Sequence, residues 1–266
     1  GTGTVGGYII PLGGEDPVNN RGGVPFWDLL HASGVDTEIY RIPANYPVPE
    51  SEAKVLGGMG TVDMRGDFGT YTLYSSRPVW NPDVKGDVEL VRVVDTNLDG
   101  VRDKVRSKLK GPPDIFHLEP GQIPGPSDYL SVSLEVSLDP ISDVAYVEVG
   151  GEGVVLQPGE WSDWVQVSFD ALPYGVMPLS GTVRLYLKSI RDPFVLYASP
   201  ININPLDPAQ PITSPDDFTE LLSERLGPFY TQGMPEETNA LKDGVFDDDD
   251  YELQVALVRM PAKIAA

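Results

Sequence analysis

The chain has no cysteine and only two histidines, His31 and His117, in 266 residues. Disulfide scaffolds and thiolate metal sites are therefore excluded, and two imidazoles far apart in sequence cannot supply the multi-histidine site that activates water or a hydroxyl nucleophile. Basic side chains are also scarce, 19 against 40 acidic ones, for a net charge of −21. Nucleic-acid polymers and anionic membrane surfaces are repelled by such a field, and cations are attracted. No stretch of 18 apolar residues occurs, and the opening GTGTVGGYIIPLGG lacks the basic, apolar and small-residue succession of a signal peptide. No Gly-x-Ser-x-Gly elbow is present, and the glycines of GTGTVGG do not follow a predicted strand, so they do not read as a phosphate cradle.

What is present is enough apolar material for a core, 41% of residues, divided into three zones. In the first, residues 1–69, Pro25 opens a short helix with Phe26, Trp27, Leu29 and Leu30 as its apolar face. Gly34 stops that helix, and Thr37 to Ile42 follows as a buried strand. His31 falls at the helix C-terminus, where a cation is favoured. A break at Asn45, Tyr46, Pro47 and Pro49 leads into a glycine-rich loop, Leu56 to Gly69. The zone reads as a helix-strand fragment of an α/β layer.

From residue 70 to about 203 the apolar period becomes two. Candidate strands are Thr70 to Ser75, Val88 to Val94, Val101 to Leu109, Tyr129 to Leu138, Ala145 to Val149, Val154 to Leu156, Trp164 to Phe169, Gly181 to Ser189 and Phe194 to Ala198. They predict an antiparallel β-sandwich or open barrel, with one wet face where Tyr129 to Leu138 alternates apolar with Ser and Glu. Gly150 and Gly151 suit a tight turn. Trp161 and Trp164 read as sheet packing rather than a sugar platform. In the third zone, residues 204–266, Ser214 to Asp217 cap a helix carrying Phe218, Leu221, Leu222 and Leu226, and a second helix starts within Asp247 to Asp250. The predicted fold class is thus mixed α+β: a partial α/β layer, a large β insertion and C-terminal helices.

One local motif carries metal chemistry. Asp95, Asn97, Asp99, the Val101 carbonyl and Asp103 occupy positions one, three, five, seven and nine of an EF-hand-like calcium loop, with Gly100 at six. Arg106 stands where the twelfth-position carboxylate belongs, and an Asp99–Gly100 hairpin turn is the competing reading.

Two segments, GGVPFWDLLHASGVDTEIYRIPANYPVPESEAKVLGGMGTVDM (Gly22 to Met64) and SPININPLDPAQPITSPDDFTELLSERLGPFYTQGMPEETNALKD (Ser199 to Asp243), resemble the bacterial type I phosphodiesterase and nucleotide pyrophosphatase group of the alkaline phosphatase superfamily. WSDW and VRLYLKS extend the likeness loosely into the β zone. The resemblance implies a phosphohydrolase with two zinc-like divalent ions, in which a metal-bound Thr or Ser attacks phosphorus. The nucleophile and the downstream Asp and His clusters have no counterpart here, so the chain is read as an internal piece of such an enzyme, inactive alone. Its partners would be the remainder of the catalytic core and, through it, a phosphate ester. Asn45 and Asp63, at the C-terminal end of a core strand, are the candidate substrate-proximal residues. The alternative is a secreted, acidic, β-rich binding or structural module, for which the Asp95 to Asp103 loop would be a calcium site. An acidic, cysteine-free composition suits an exported or periplasmic protein, or one from a salty cytoplasm.

Overall fold

The computed structural model describes all residues except 1, 6–7, 12–18, 80, 82, 98–99, 120, 173–176 and 260–266. Strands dominate, in several sheets with a few helices, and no sheet closes into a barrel among the described residues. A hairpin of β1 (Thr2–Val5) and β2 (Tyr8–Pro11) comes first.

The first and third zones interleave in a small three-layer unit. Its helix α1 (Phe26–Ala32) precedes β3 (Glu38–Tyr40), which pairs in parallel with β4 (Lys54–Leu56). The third strand of that sheet is β18 (Thr213–Ser214), antiparallel to β4 and more than 150 residues further on. Successive β4 side chains face opposite sides of the sheet. Val55 packs with Trp27 of α1, whereas Leu56 packs with Phe218 and Leu222 of α2 (Phe218–Leu226). The helices therefore cover opposite faces. β4 lies where the sequence pattern reads only the approach to a loop, because three residues are too few for a period to show.

Burial of α1 departs from expectation. Trp27 is 3% exposed, but Phe26 and Leu29 are 54% and 59% exposed, and Leu30 is also open to solvent. One residue of the predicted four-residue apolar face is buried; the rest lies bare. Ser214 likewise does not cap α2. It sits in β18, where its hydroxyl accepts from the Ser51 backbone N–H at 2.8 Å and donates to the Ser51 carbonyl.

The β zone is sandwich-like. One sheet runs β11 (Glu152–Leu156), β10 (Val144–Val149), β9 (Tyr129–Asp139), β8 (Lys104–Pro113) and β7 (Val93–Val94). The second runs β12 (Glu160–Trp161), β15 (Leu185–Ser189), β16 (Val195–Ala198), β5 (Thr72–Ser75) and β6 (Asp87–Leu90), with β5 and β6 parallel. A three-stranded sheet adds β13 (Val165–Asp170), β14 (Pro178–Val183) and β17 (Asn202–Ile203). The alternation in β9 sends Leu134, Val136 and Leu138 inward and Ser131 and Ser137 outward. Gly150 and Gly151, both at positive φ, make the two-residue turn that the twist of a hairpin favours.

Two predicted strands each divide in two. The Val88 to Val94 run changes sheet at Val91 and Arg92, and the Gly181 to Ser189 run changes at Arg184. At the second corner Ser199 and Ser162 hydroxyls accept from the Arg184 and Leu185 backbone N–H groups, so the ladder is replaced by side chains where it breaks. Finally, α3 (Thr238–Lys242) and α4 (Asp248–Val258) cap the outer side of the second sheet through Ala240, Val245 and Phe246, packed on Tyr71, Tyr186 and Tyr197. Asp247 and Asp250 form a capping box at the start of α4, as the four aspartates suggest. Burial pushes the Asp250 carboxyl up, but bonds from Lys188 (2.6 Å) and Tyr186 outweigh it and hold the group below its usual range.

Candidate functional site

The glycine-rich loop leaves the C-terminal end of β4, the position where open α/β sheets place ligands. Backbone approaches fix it. A Cβ on Gly58 would lie 2.2 Å from the Ile42 carbonyl oxygen, and one on Gly233 would lie 2.1 Å from that of Gly58. Three distant pieces of chain touch there, which only glycine permits. Gly57 N–H donates to Ile212 O, and Gly233 N–H to Thr61 O. The Gln232 amide donates to Phe68 O and Met234 O. Asn202 Oδ1 accepts from the Thr231 and Gln232 N–H groups at 2.9 and 3.0 Å. Segments more than 130 residues apart in sequence thus converge on this loop.

Asp63 and Asn45, the residues singled out from sequence, sit beneath it rather than on its surface. The Asp63 carboxylate accepts from the backbone N–H groups of Arg65, Asp67 and Thr70 at 2.8–3.0 Å. Burial pushes its pKa up to about 6, against the pull of those three donors. Asn45 is fully buried and accepts from Arg21 Nη1 at 2.8 Å; its Nδ2 has no partner among the described residues. Asp63 holds the loop in place, whereas Asn45 ties down Arg21.

Composition and period do not mark the second acid of this region. Glu237 is buried, and burial pushes its carboxyl up to about 8, so it is largely a neutral acid at pH 7. The Tyr197 hydroxyl faces it and pulls the other way, although the contact falls short of hydrogen-bond geometry, and the Asp63 charge raises it further. The Glu237 N–H donates to Gln254 Oε1, which ties the segment to α4. Nearby, Arg184 packs over the Trp164 ring at 5.5 Å, and Trp164 meets Tyr230 edge-on at 4.6 Å, while Trp161 stacks on Tyr186 at 5.0 Å. The two tryptophans serve different packing clusters.

The candidate calcium loop joins β7 to β8. Its carboxylates are engaged in folding it: Asp95 accepts from the N–H groups of Asn97 and Gly100, and Asp103 from the N–H and hydroxyl of Thr96. The Thr96 hydroxyl is the main reason that the Asp103 carboxyl lies below its usual range. Asn97 and Val101 are exposed, and Asp99 lies outside the described residues. Among the described residues no three His, Cys, Asp or Glu side chains group as a metal site. His31 is exposed at the end of α1, and His117 pairs with Asp114 at 2.7 Å. The described residues by themselves therefore do not fit a two-ion catalytic centre. No helix among the described residues is long and apolar enough to cross a membrane. No protein-family model, curated protein or solved structure matches the chain.

Proposed function

We propose that this chain is the insertion-bearing part of a metal-dependent phosphohydrolase of the type I phosphodiesterase and nucleotide pyrophosphatase kind. In this reading α1, β3, β4, β18 and α2 are a slice of the host α/β layer. The β zone is a cap or wall beside the phosphate site, and the glycine-rich loop, set by Asp63 and with Asn45 buried nearby, faces the substrate. One observation carries the reading: β18 and α2, from the far end of the chain, complete a three-layer unit with β3 and β4, while the whole β zone is spliced between them. That is the topology of a guest domain in a host.

Divalent ions in such an enzyme would supply Lewis-acid chemistry at the phosphoryl group, and residues other than those described here would have to hold them. The residues described here would hold the loop and close one wall, which selects the leaving group. Assay of the parent reading frame with a bis-nitrophenyl phosphate and zinc or manganese tests this. Hydrolysis by the parent, none by the 266-residue chain, and a changed leaving-group preference when residues 72–198 are replaced by a short linker are expected. A parent with no metal-dependent hydrolysis, or turnover by this chain alone, overturns the reading.

A further inference from the structure

Where the chain changes sheet between β6 and β7, a cleft of about 440 Å³ opens at one end of the sandwich. Its apolar lining includes Val91 and Ile190, both buried, and the more exposed Val94. Its rim is cationic: Arg92, Arg102 and Arg191 line it, with Asp192 as the one acid. In a chain with twice as many acids as bases this reverses the general sign of the surface.

Asp192 and Asp143, paired with arginines, are already committed, and Asp95 and Asp103, next to Val94 and Arg102, hold N–H groups of their own loop. Asp192 receives a two-pronged contact from Arg77 at 3.1 and 2.8 Å, and Asp143 pairs with Arg191 at 2.8 Å. Among the described residues Arg92 and Arg102 make no hydrogen bond or close ion pair, although the Arg102 charge also helps to hold the Asp192 carboxyl below its usual range. Arg92 and Arg102 thus present two guanidinium groups without a close acidic partner at one mouth, above an apolar floor. Guanidinium forks match the oxygens of phosphate and carboxylate, and two forks at one mouth suit the three oxygens of a phosphate monoester better than the two of a carboxylate.

We propose that this corner binds a small phosphate monoester, with Arg92 and Arg102 on the phosphoryl oxygens and the organic part lying on Val91, Val94 and Ile190. The site lies wholly in the β zone, uses no metal and goes beyond the hydrolase reading, so it stands or falls separately.

Calorimetric titration of the 266-residue chain with phenyl phosphate at low ionic strength tests it. Saturable one-to-one binding with a Kd on the order of 1 mM is expected for so open a cleft. Arg92→Ala with Arg102→Ala, both at exposed positions, should leave the melting temperature in place and weaken binding by about tenfold or more. Arg106→Ala with Lys108→Ala, on the basic face of β8, should leave binding unchanged. The proposal is overturned by absence of saturation at about ten times that Kd, by undiminished binding in the Arg92 and Arg102 variant, or by an equal loss in the β8 variant. Benzoate binding as tightly as phenyl phosphate would overturn the assignment to a phosphate monoester.

Discussion

The β zone and the α/β slice are built on different scales. Among the described residues, the main β cluster joins 22 buried apolar residues, whereas the slice divides nine between the two faces of its sheet, five on the α1 side and four on the α2 side. At about 1.5–3 kcal/mol per large apolar side chain, the first is a core that can support a domain, and the second is of a size that depends on its neighbours. A guest domain would carry its own core, and a slice of a host layer would borrow part of its own.

The largest effect should come from the β zone. Leu134→Ala, at a fully buried site on β9, is expected to cost about 3 kcal/mol, read as a lowered urea midpoint. Trp27→Ala should act differently, raising hydrogen exchange in α1 and β3 while the β-zone amides keep their protection. Uniform loss of protection across both regions would break the comparison.

Next in size is the pH dependence at the seam between the regions. Glu237 has its folded pKa raised from 4.5 to about 8, so the folded state binds its proton more tightly than the unfolded chain. Stability is therefore greatest below about pH 4.5 as far as this group is concerned, and falls as pH rises towards 8, by a few kcal/mol. Asp63, raised to about 6, acts in the same direction over a lower window. Melting temperatures at pH 5.5 and 8.5 should differ, and Glu237→Gln should shrink the difference. An unchanged slope would show that the carboxyl is not desolvated. Gly58→Ala should then cost about 1–3 kcal/mol, because the added methyl meets backbone that cannot swing aside.

Legibility in the sequence differs between the regions for the same reason. The strands of the β zone alternate over five to ten residues and bury one face, so β9 and its neighbours were readable to within a few positions. The sheet changes at Arg92 and Arg184 were not, because a corner leaves the period intact and alters only the partner. In the slice, β4 and β18 are two or three residues long and held by Ser51, Ser214 and Ile212 from elsewhere in the chain, which no local pattern records. Asp63 was legible as a residue in a glycine-rich loop, but not its three backbone donors; Glu237 was invisible because its neighbours, Tyr197 and Gln254 among them, come from other elements.

A smaller effect is expected from calcium. Asp95 and Asp103 already hold loop N–H groups, and Arg102 lies beside them, so an ion must share those oxygens and tolerate that charge. Binding, if Asp95, Asn97, Asp99, Val101 and Asp103 provide it, should be in the 10⁻⁴–10⁻³ M range of extracellular modules and raise the melting temperature by a few degrees at about 10 mM. Asp95→Ala should abolish the rise. A melting temperature unmoved by calcium leaves this loop as a hairpin closed by its own aspartates.

The smallest effect discriminates best between a self-contained slice and a borrowed one. Phe26 and Leu29 are more than half exposed on α1, so Phe26→Ser and Leu29→Ser remove little buried area from the chain and should change its stability by less than about 0.5 kcal/mol. If the rest of a host layer packs on that helix, the same substitutions in the parent protein should cost about 1–3 kcal/mol each, since the side chains would then be withdrawn from water. The measurement is the pair of denaturation curves, chain and parent, for each substitution. Equal and negligible effects in both would mean that α1 faces solvent in the parent too, and a large effect in the chain alone would mean that the helix is already covered. Only the asymmetric outcome, silent in the chain and costly in the parent, fits an α/β layer whose remaining neighbours lie outside these 266 residues.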